Sequence, residues 1–498
     1  MTKTEETHRC PFDLPDPSDP NAVAALQVRA EEGVEKLSGL LTPLAQRFVE
    51  RGEHLYLVGG PVRDAMLGKL GHDLDFTTSA LPPTVQEILD EWGETTWDTG
   101  IEFGTVAAVR EGQQVEITTF RSDLYDGVTR NPEVTFGDTL DGDLIRRDFA
   151  CNAMAIELDV VDGALRPIFH DPVDGISDLL QRRLDTPQAP EISFRDDPLR
   201  MLRAARFASQ LGFDVAPRVF DAMRDMAGEI QRITVERIQA ELDKLMCGIA
   251  PWEGIDLLVR TGLAEFVLPE VPALQLEQDE HMQHKDVYAH SLTVLRQATE
   301  LEDDGPDLKL RLAALLHDVG KPATRALKEG GGVSFHHHEV VGAKLVRKRL
   351  RALKYPKHVI SDVGQLVFLH MRFYGFGEGK WTDSAVRRYV TDAGDLLGRL
   401  NKLVRADCTT RNPRKARRLQ RAYQNLEERI ATLAEQEDLA RIRPDLDGNE
   451  IMRILDLKPG PEVGEAWKYM KELRLERGEL EHDEAVAALK SWWEERNV

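Results

Sequence analysis

Few cysteines, no long apolar run and no surplus of positive charge distinguish this 498-residue chain. Its four cysteines, Cys10, Cys151, Cys247 and Cys408, lack CxxC spacing or any pairing logic. That excludes a disulfide scaffold and suits a reducing cytosol. No stretch approaches about 18 uninterrupted apolar residues, so no membrane span is expected. The opening MTKTEETHRCPFDLPDPSDP is acidic and proline-broken, without the apolar segment of a signal peptide. A cytoplasmic location is therefore expected. Internal repeats and low-complexity blocks are also missing. The net charge of −22 argues mildly against a nucleic-acid binder, because phosphate backbones attract lysine and arginine.

The length exceeds what one hydrophobic core serves, so two to four domains are expected. Basic residues are locally concentrated: Lys344, Arg347, Lys348, Arg349, Arg351, Lys354 and Lys357 occur with no acid among them. A second run holds Arg411, Arg414, Lys415, Arg417, Arg418 and Arg421. Such runs are commonly solvated helix faces, and they permit an RNA contact.

Apolar spacing predicts one helix over residues 22–50. HLYLVGG reads as a buried strand ending in a glycine turn, PVRDAMLG as a short helix with proline at its first position, and HDLDFTT as an alternating strand. GTVAAVR and QQVEITTF are further strands, followed by a loop-like stretch through GDTLDGD and a helix–strand unit in RRDFACNAMAIEL. An α+β domain thus ends near residue 180. From Ser193 the chain becomes helical, with DDPLRMLRAARFASQLG and TVERIQAELDKLMCG carrying start and stop signals.

Three D-x-D pairs occur, Asp73/Asp75, Asp141/Asp143 and Asp445/Asp447. The second and third have turn residues beside them and read as turns. Asp73 and Asp75 lie in a strand, where residues two apart share a side about 7 Å apart. Carboxylates so held can bridge divalent cations about 4 Å apart. Upstream, Gly59-Gly60 lets backbone amides approach a triphosphate, and Arg63 can reach the same charge. Glu116, in VEITTF, is a candidate third carboxylate, although strand glutamates are commonly surface residues. Arg146, Arg147 and Asp148 are adjacent and would alone read as a charge cluster at a helix start. Asp197 and Arg200, three apart at a helix start, share a face; Asp197 alone would read as a helix cap.

LVGGPVRD…HDLDF resembles the first motif of the polymerase β-type nucleotidyltransferase superfamily, in its class II branch. That branch comprises CCA-adding tRNA nucleotidyltransferases and bacterial poly(A) polymerases. RRDFACNAMAIEL resembles the second motif, DPVDGISDLLQRRLDT the head-to-neck connector, RDDPLRMLRAARF the base-reading helix and ERIQAEL the helix after it. The resemblance covers residues 50–245. It implies an α+β head with a mixed sheet over residues 51–180, after a leader and helix at 1–50. A helical neck at 181–275 would read the base and bind RNA. It implies Mg²⁺ on Asp73 and Asp75, with Glu116 beside them. Nucleotide binding would fall to Gly59, Gly60, Arg63, Arg146, Arg147, Asp148, Asn152, Asp197, Arg200, Arg203 and Arg206. Asp148 with an arginine would hold the ribose 2′-hydroxyl and triphosphate. Asp197 would accept from an exocyclic amine while Arg200 donates to a ring acceptor, a pattern cytosine and adenine share. Asp196 stands where the family usually has glutamate. Arg121 and Arg130 fall in the family's flexible segment. The implied partners are tRNA, ATP and CTP, with neither DNA nor a membrane. Addition of CCA is expected; poly(A) synthesis or addition of only C or only A are the alternatives. The acidic tail segment LRLERGELEHDEAV favours CCA addition over poly(A) polymerases, which often carry basic extensions.

The histidines supply a second set. His317-Asp318 in AALLHDVGK joins His290, His338, His370 and Asp407, types that ligate divalent metals and that helices can bring together. Their order resembles an HD-type metal phosphohydrolase domain. This implies an all-α domain at 276–430 and a helical tail at 431–498. It also implies a divalent transition metal or Mg²⁺ on those six residues, with Lys321 near the phosphate. Among His336, His337 and His338, the HExxGA spacing selects His338. The expected substrates are RNA 2′,3′-cyclic phosphates or 2′-phosphates. An inactive scaffold is the alternative, as is a chain whose only enzyme is this domain and whose head is a degenerate RNA-binding module.

Overall fold

The computed structural model describes residues 11–100, 104–121, 139–275, 287–327, 333–373, 381–408, 413–436 and 442–496. Arg130 and Arg411 lie outside them. The chain divides into two compact units, Met1–Val267 and Leu268–Val498. No helix among the described residues is long and apolar enough to cross a membrane.

In the first unit, β1 Leu55–Val58, β2 Asp73–Thr78, β3 Thr95–Gly100, β4 Thr105–Arg110, β5 Gln113–Thr119, β6 Ala155–Val161 and β7 Ala164–His170 form one sheet in the order β3-β4-β5-β2-β1-β6-β7. Its β2–β5 pair is parallel, while β1 pairs antiparallel with β2 and β6. The sheet is therefore mixed. Every β1 side chain is buried, as a central strand covered on both faces requires. The β2 pattern alternates, Asp73 and Asp75 outward and Leu74 and Phe76 into the core, so the strand period puts both carboxylates on one side.

The helix expected over residues 22–50 is two, Ala22–Glu35 and Ser38–Glu50. The break at Lys36-Leu37 is flanked by Gly33 and Gly39, whose low helix propensity permits a turn that the apolar stripe conceals. The stretch read as a loop contains the helix Leu140–Ile145, begun by Thr139, whose Oγ1 accepts from the Gly142 amide. A threonine cap followed by Asp141 and Asp143 is a helix-start signal, and the Asp-Gly-Asp composition masked it. Asp447, also read as a turn residue, caps the helix Gly448–Leu455 in a reciprocal box with Glu450.

Among the described residues, the rest of the first unit's regular structure is helical apart from a two-residue ladder, Arg183–Leu184 with Asp214–Val215. Leu199–Leu211 ends at Gly212 in the left-handed region, the expected glycine stop. It packs on Val235–Met246 and Pro251–Arg260.

Among the described residues the second unit is helical except for a ladder of Arg325–Leu327 with Val333–Phe335. Helices Val287–Glu300, Leu308–Leu316, Lys357–Leu369 and Leu397–Asp407 pack together, and His338–Ala352 lies against Lys357–Leu369. At Gly320 a Cβ would sit 2.1 Å from the His338 carbonyl oxygen and 2.6 Å from the Gly342 nitrogen. Only glycine lets the turn after His317-Asp318 touch the backbone of the next helix. Near the end of the chain, Leu446, Ile451, Ala466, Met470, Leu473, Ala485 and Leu489 form a separate hydrophobic cluster.

Candidate functional site

The head site grows from the parallel register of β2 and β5, which sets Asp75 opposite Glu116 and Asp73 opposite Gln114. Asp75 keeps an accessible face. Even so, loss of surrounding water raises its pKa, and the charges of Glu116 and Asp73 add to the rise against a lowering by Arg147. Crowded carboxylates of this kind suit a divalent cation. Beside them, Gly59 ends β1 with φ +74°, and a Cβ there would lie 3.1 Å from Arg147 Nη1. The glycine turn and a guanidinium are thus neighbours, and the positive φ favours glycine there.

Arg147 is held by Asp143, whose Asp-Gly-Asp setting suggests a turn. Asp143, 1% exposed, accepts from Arg146 at 2.8 Å and Arg147 at 3.0 Å. Burial raises its pKa, but the two guanidiniums outweigh that and hold it below the usual carboxylate range. The spacings of three and four residues were a legible signal for this fork.

Arg63 does not stand in the open. It is buried, donating through Nη1 to Asn152 Oδ1 at 2.7 Å and through Nε to Asp64 at 2.8 Å. It braces the first-motif helix Gly60–Met66 against the turn Ala150–Asn152. Asp148 is also buried, accepting from the Phe149 amide at 2.8 Å and Asn152 Nδ2 at 3.2 Å. Its Oδ2 lies 2.6 Å from Arg203 Nη2 on the neck helix. Burial pushes its pKa up, and Arg203, Asn152 and Arg200 bring it below normal.

Asp197 precedes the helix Leu199–Leu211. Its Oδ1 accepts from the Leu199 amide at 3.1 Å, and Oδ2 pairs with Arg237 at 2.8 Å. Arg200 donates to Ser193 Oγ at 2.8 Å and to the Arg146 carbonyl at 2.7 Å. The two residues expected to read the base therefore have separate partners, and Arg200 ties the neck helix to the arginine fork. Arg237, forty residues along the chain and without a local motif to mark it, fixes the rotation of Asp197. Arg206 lies deeper, paired with Glu241 at 3.1 Å and over the Phe207 ring at 4.2 Å. Its burial pulls the guanidinium pKa down to about 10, and it packs the helix from within.

In the second unit the six expected residues converge. His290, His317 and Asp407 form one set, and Asp318, His338 and His370 another, with ligand atoms within 4.8 Å in each. Among the described residues, these are the sets of three or more drawn so close. Each of three rings is oriented from behind: Nδ1 of His317, His338 and His370 faces the carbonyl of Ala314, Phe335 and Val367 at 2.9, 2.9 and 2.6 Å. With Nδ1 donating, Nε2 is left as the ligand atom. Nε2 of His338 and His370 then face each other at 3.2 Å. The buried Nε2 of His317 lacks hydrogen-bond geometry to any partner, although Asp318 Oδ2 is 3.1 Å away. Facing lone pairs and an unsatisfied buried nitrogen fit a cation between them. His336 and His337 are exposed, with His337 in the left-handed region just before the helix that His338 opens. Lys321 Nζ lies 2.5 Å from Asp318 Oδ2.

Three family models match in order: the poly A polymerase head domain over residues 55–185, the probable RNA and SrmB-binding site of polymerase A over 212–274, and the HD domain over 287–438. A CCA-adding enzyme of Levilactobacillus brevis is 42% identical over 225 residues, 45% of this chain and 54% of that protein. The chain thus spans about half the length of the curated CCA-adding relatives it matches. An A-adding tRNA nucleotidyltransferase of Deinococcus radiodurans is 35% identical over 377 residues, 74% of this chain and 83% of that protein. The crystal structure of a Bacillus stearothermophilus CCA-adding enzyme in complex with CTP superposes with a TM-score of 0.67 at 26% identity, covering 92% of this chain and 98% of that one. With the sheet, the paired carboxylates and the histidine cluster, these matches establish that the chain belongs to the tRNA nucleotidyltransferase and poly(A) polymerase family with an HD domain.

Proposed function

We propose that this chain is a template-independent nucleotidyltransferase that completes tRNA 3′ ends with C, C and A from CTP and ATP, releasing pyrophosphate. The observation that carries this reading is the register that sets Asp75 beside Glu116, next to a glycine turn lined by Arg147. In the reaction the RNA 3′-oxygen bonds to the NTP α-phosphorus as the bond to the bridging oxygen of pyrophosphate breaks. Mg²⁺ held by Asp73 and Asp75 would supply charge stabilisation for the attacking and leaving oxygens. The chain's own groups do the rest. The Gly59-Gly60 backbone lets the phosphates approach, and Arg147, aimed by Asp143, meets their charge. Arg63 and Asn152 hold the two motifs at fixed spacing. Asp148 and Arg203 are the polar pair beside which a ribose would be read. Asp197, its rotation fixed by Arg237, accepts from the exocyclic amine of cytosine or adenine, and Arg200 donates to the adjacent ring nitrogen. Uracil and guanine would leave these groups unpaired, which costs far more than a lost contact.

One observation favours a second reading. The Deinococcus A-adding protein matches a much larger share of this chain than the Levilactobacillus enzyme does, so addition of the terminal A alone is the runner-up. One experiment decides: tRNAs lacking CCA, ending in C or ending in CC are offered with each NTP, and their ends are sequenced. CCA completion on the first tRNA supports the main reading. Extension of only the third selects the runner-up, and unlimited A on any RNA selects a poly(A) polymerase.

The second unit would add phosphohydrolase activity on RNA 2′,3′-cyclic phosphates or 2′-phosphates, clearing damaged ends before extension. A divalent metal held by His290, His317, Asp318, His338, His370 and Asp407 would supply Lewis acidity for phosphoester hydrolysis. Lys321 orients Asp318 and places positive charge near an incoming phosphate. Metal-dependent release of phosphate or opening of the cyclic ester, abolished by His317→Ala, is the expected result. No turnover with any divalent metal would leave this unit a scaffold.

A further inference from the structure

The segment that matches the RNA-binding family model, residues 212–274, carries six lysines and arginines against eleven aspartates and glutamates. An RNA backbone needs local positive charge, and this stretch is net negative. Residues 340–361 hold seven lysines and arginines and no acid. Most of them lie on the helix His338–Ala352, where spacings of three, four and seven put Lys344, Arg347, Lys348 and Arg351 on one face.

Lys344, Lys348 and Arg351 are exposed, and among the described residues their side chains make no ion pair. Arg347 lies flat against Gly364, where a Cβ would meet its Nε at 2.6 Å. Arg349, on another face, is neutralised by Glu270 at 2.9 Å. The nearby acid Asp362 is occupied by Lys309 at 2.6 Å. The uncompensated cations therefore form one stripe, about 10 Å long from Lys344 to Arg351 at 1.5 Å per residue. A chain of net charge −22 that leaves such a stripe free of counter-charge presents it to a polyanion.

We propose that this helix face is an RNA-backbone anchor: Lys344, Lys348 and Arg351, with Arg347 beneath them, neutralise consecutive phosphates of the RNA whose end is processed. The inference rests on the tRNA reading above for the identity of the RNA. The contact reads charge and carries no sequence information.

The test uses the full-length protein, an unmodified tRNA transcript and two triple variants. Lys344→Gln/Lys348→Gln/Arg351→Gln removes the charge, and Lys344→Arg/Lys348→Arg/Arg351→Lys retains it. Binding is titrated across a salt series, and extension kinetics are measured separately. In the charge-removed variant, affinity should fall about tenfold or more, and the slope of log K against log salt should flatten by about two to three. The KM for tRNA should rise while kcat holds, and the charge-retained variant should behave as the parent. An unchanged affinity and slope overturns the proposal. A lost affinity with an unchanged slope also overturns it, because the effect is then not electrostatic. Failure of the nucleotidyltransferase reading would appear differently, as binding without extension in the parent protein.

Discussion

Asp73 and Asp75 stand exposed on the face of a strand, while His317, Asp318 and His370 are each 1% exposed within a helical bundle. The first site brings together two side chains two residues apart and a third on the adjoining strand. The second gathers residues spread from His290 to Asp407. The open arrangement suits the two large substrates proposed for it, a nucleotide and an RNA end, and its side chains are aligned by a strand register. The buried arrangement admits a small group and obtains precision from backbone carbonyls behind the rings. A short motif therefore suffices to build one site, and a whole fold is needed for the other.

The sharpest way to break this comparison is Asp75→Ala. Nucleotide incorporation should fall by about three orders of magnitude, while metal content of the histidine cluster, read by elemental analysis, stays unchanged. Extension at the parent rate would place the polymerising chemistry elsewhere. Asp318→Ala is the reciprocal variant: metal affinity of the cluster should drop about a hundredfold, with extension retained.

A third variant removes no ligand. Gly320→Ala forces a Cβ into the His338 carbonyl and should destabilise the second unit by about 3 kcal/mol. Thermal melting would show it, together with loss of bound metal. Near-parent stability would mean that the close approach is not a constraint. Asp197→Ala tests the proposed base-reading role, and selectivity for CTP and ATP over UTP and GTP should relax about tenfold to a hundredfold, as competition assays would report.

The smallest effect is expected from Asp143→Asn, which should raise the KM for NTP several-fold. Because the folded pKa of Asp143 is depressed, its stabilisation is full above about pH 4 and is lost as pH falls through the folded value. The variant should therefore lose stability at neutral pH and show a flatter acid limb in melting experiments. An acid limb like the parent's would show that the arginine fork is held by other contacts.

Much of the head was legible because its chemistry is local. Gly59-Gly60, the strand period of HDLDFTT and the proline at the start of PVRDAMLG each specify geometry within a few residues. Tertiary pairing was not legible. Nothing near Glu116 announces that β5 runs parallel to β2, and Asp143 looked like a turn residue until its spacing to Arg146 and Arg147 mattered. Arg63 looked like a free phosphate ligand, because a sequence does not reveal that Asn152 lies within 2.7 Å of its guanidinium. In the second unit the residue types and their order were readable, whereas the choice of His338 over its two neighbours becomes physical only where the helix begins.

The three carbonyl clamps behind His317, His338 and His370 share one feature: each ring is gripped by a residue three positions earlier in its own chain segment. Each of these three rings is consequently aimed by its own turn of backbone. Lengthening a connection between these turns should leave the three rings held as before, while a one-residue insertion inside any window from 314 to 317, 335 to 338 or 367 to 370 should misdirect a single ring. Ring orientation at these three positions is thus set locally, one backbone turn at a time.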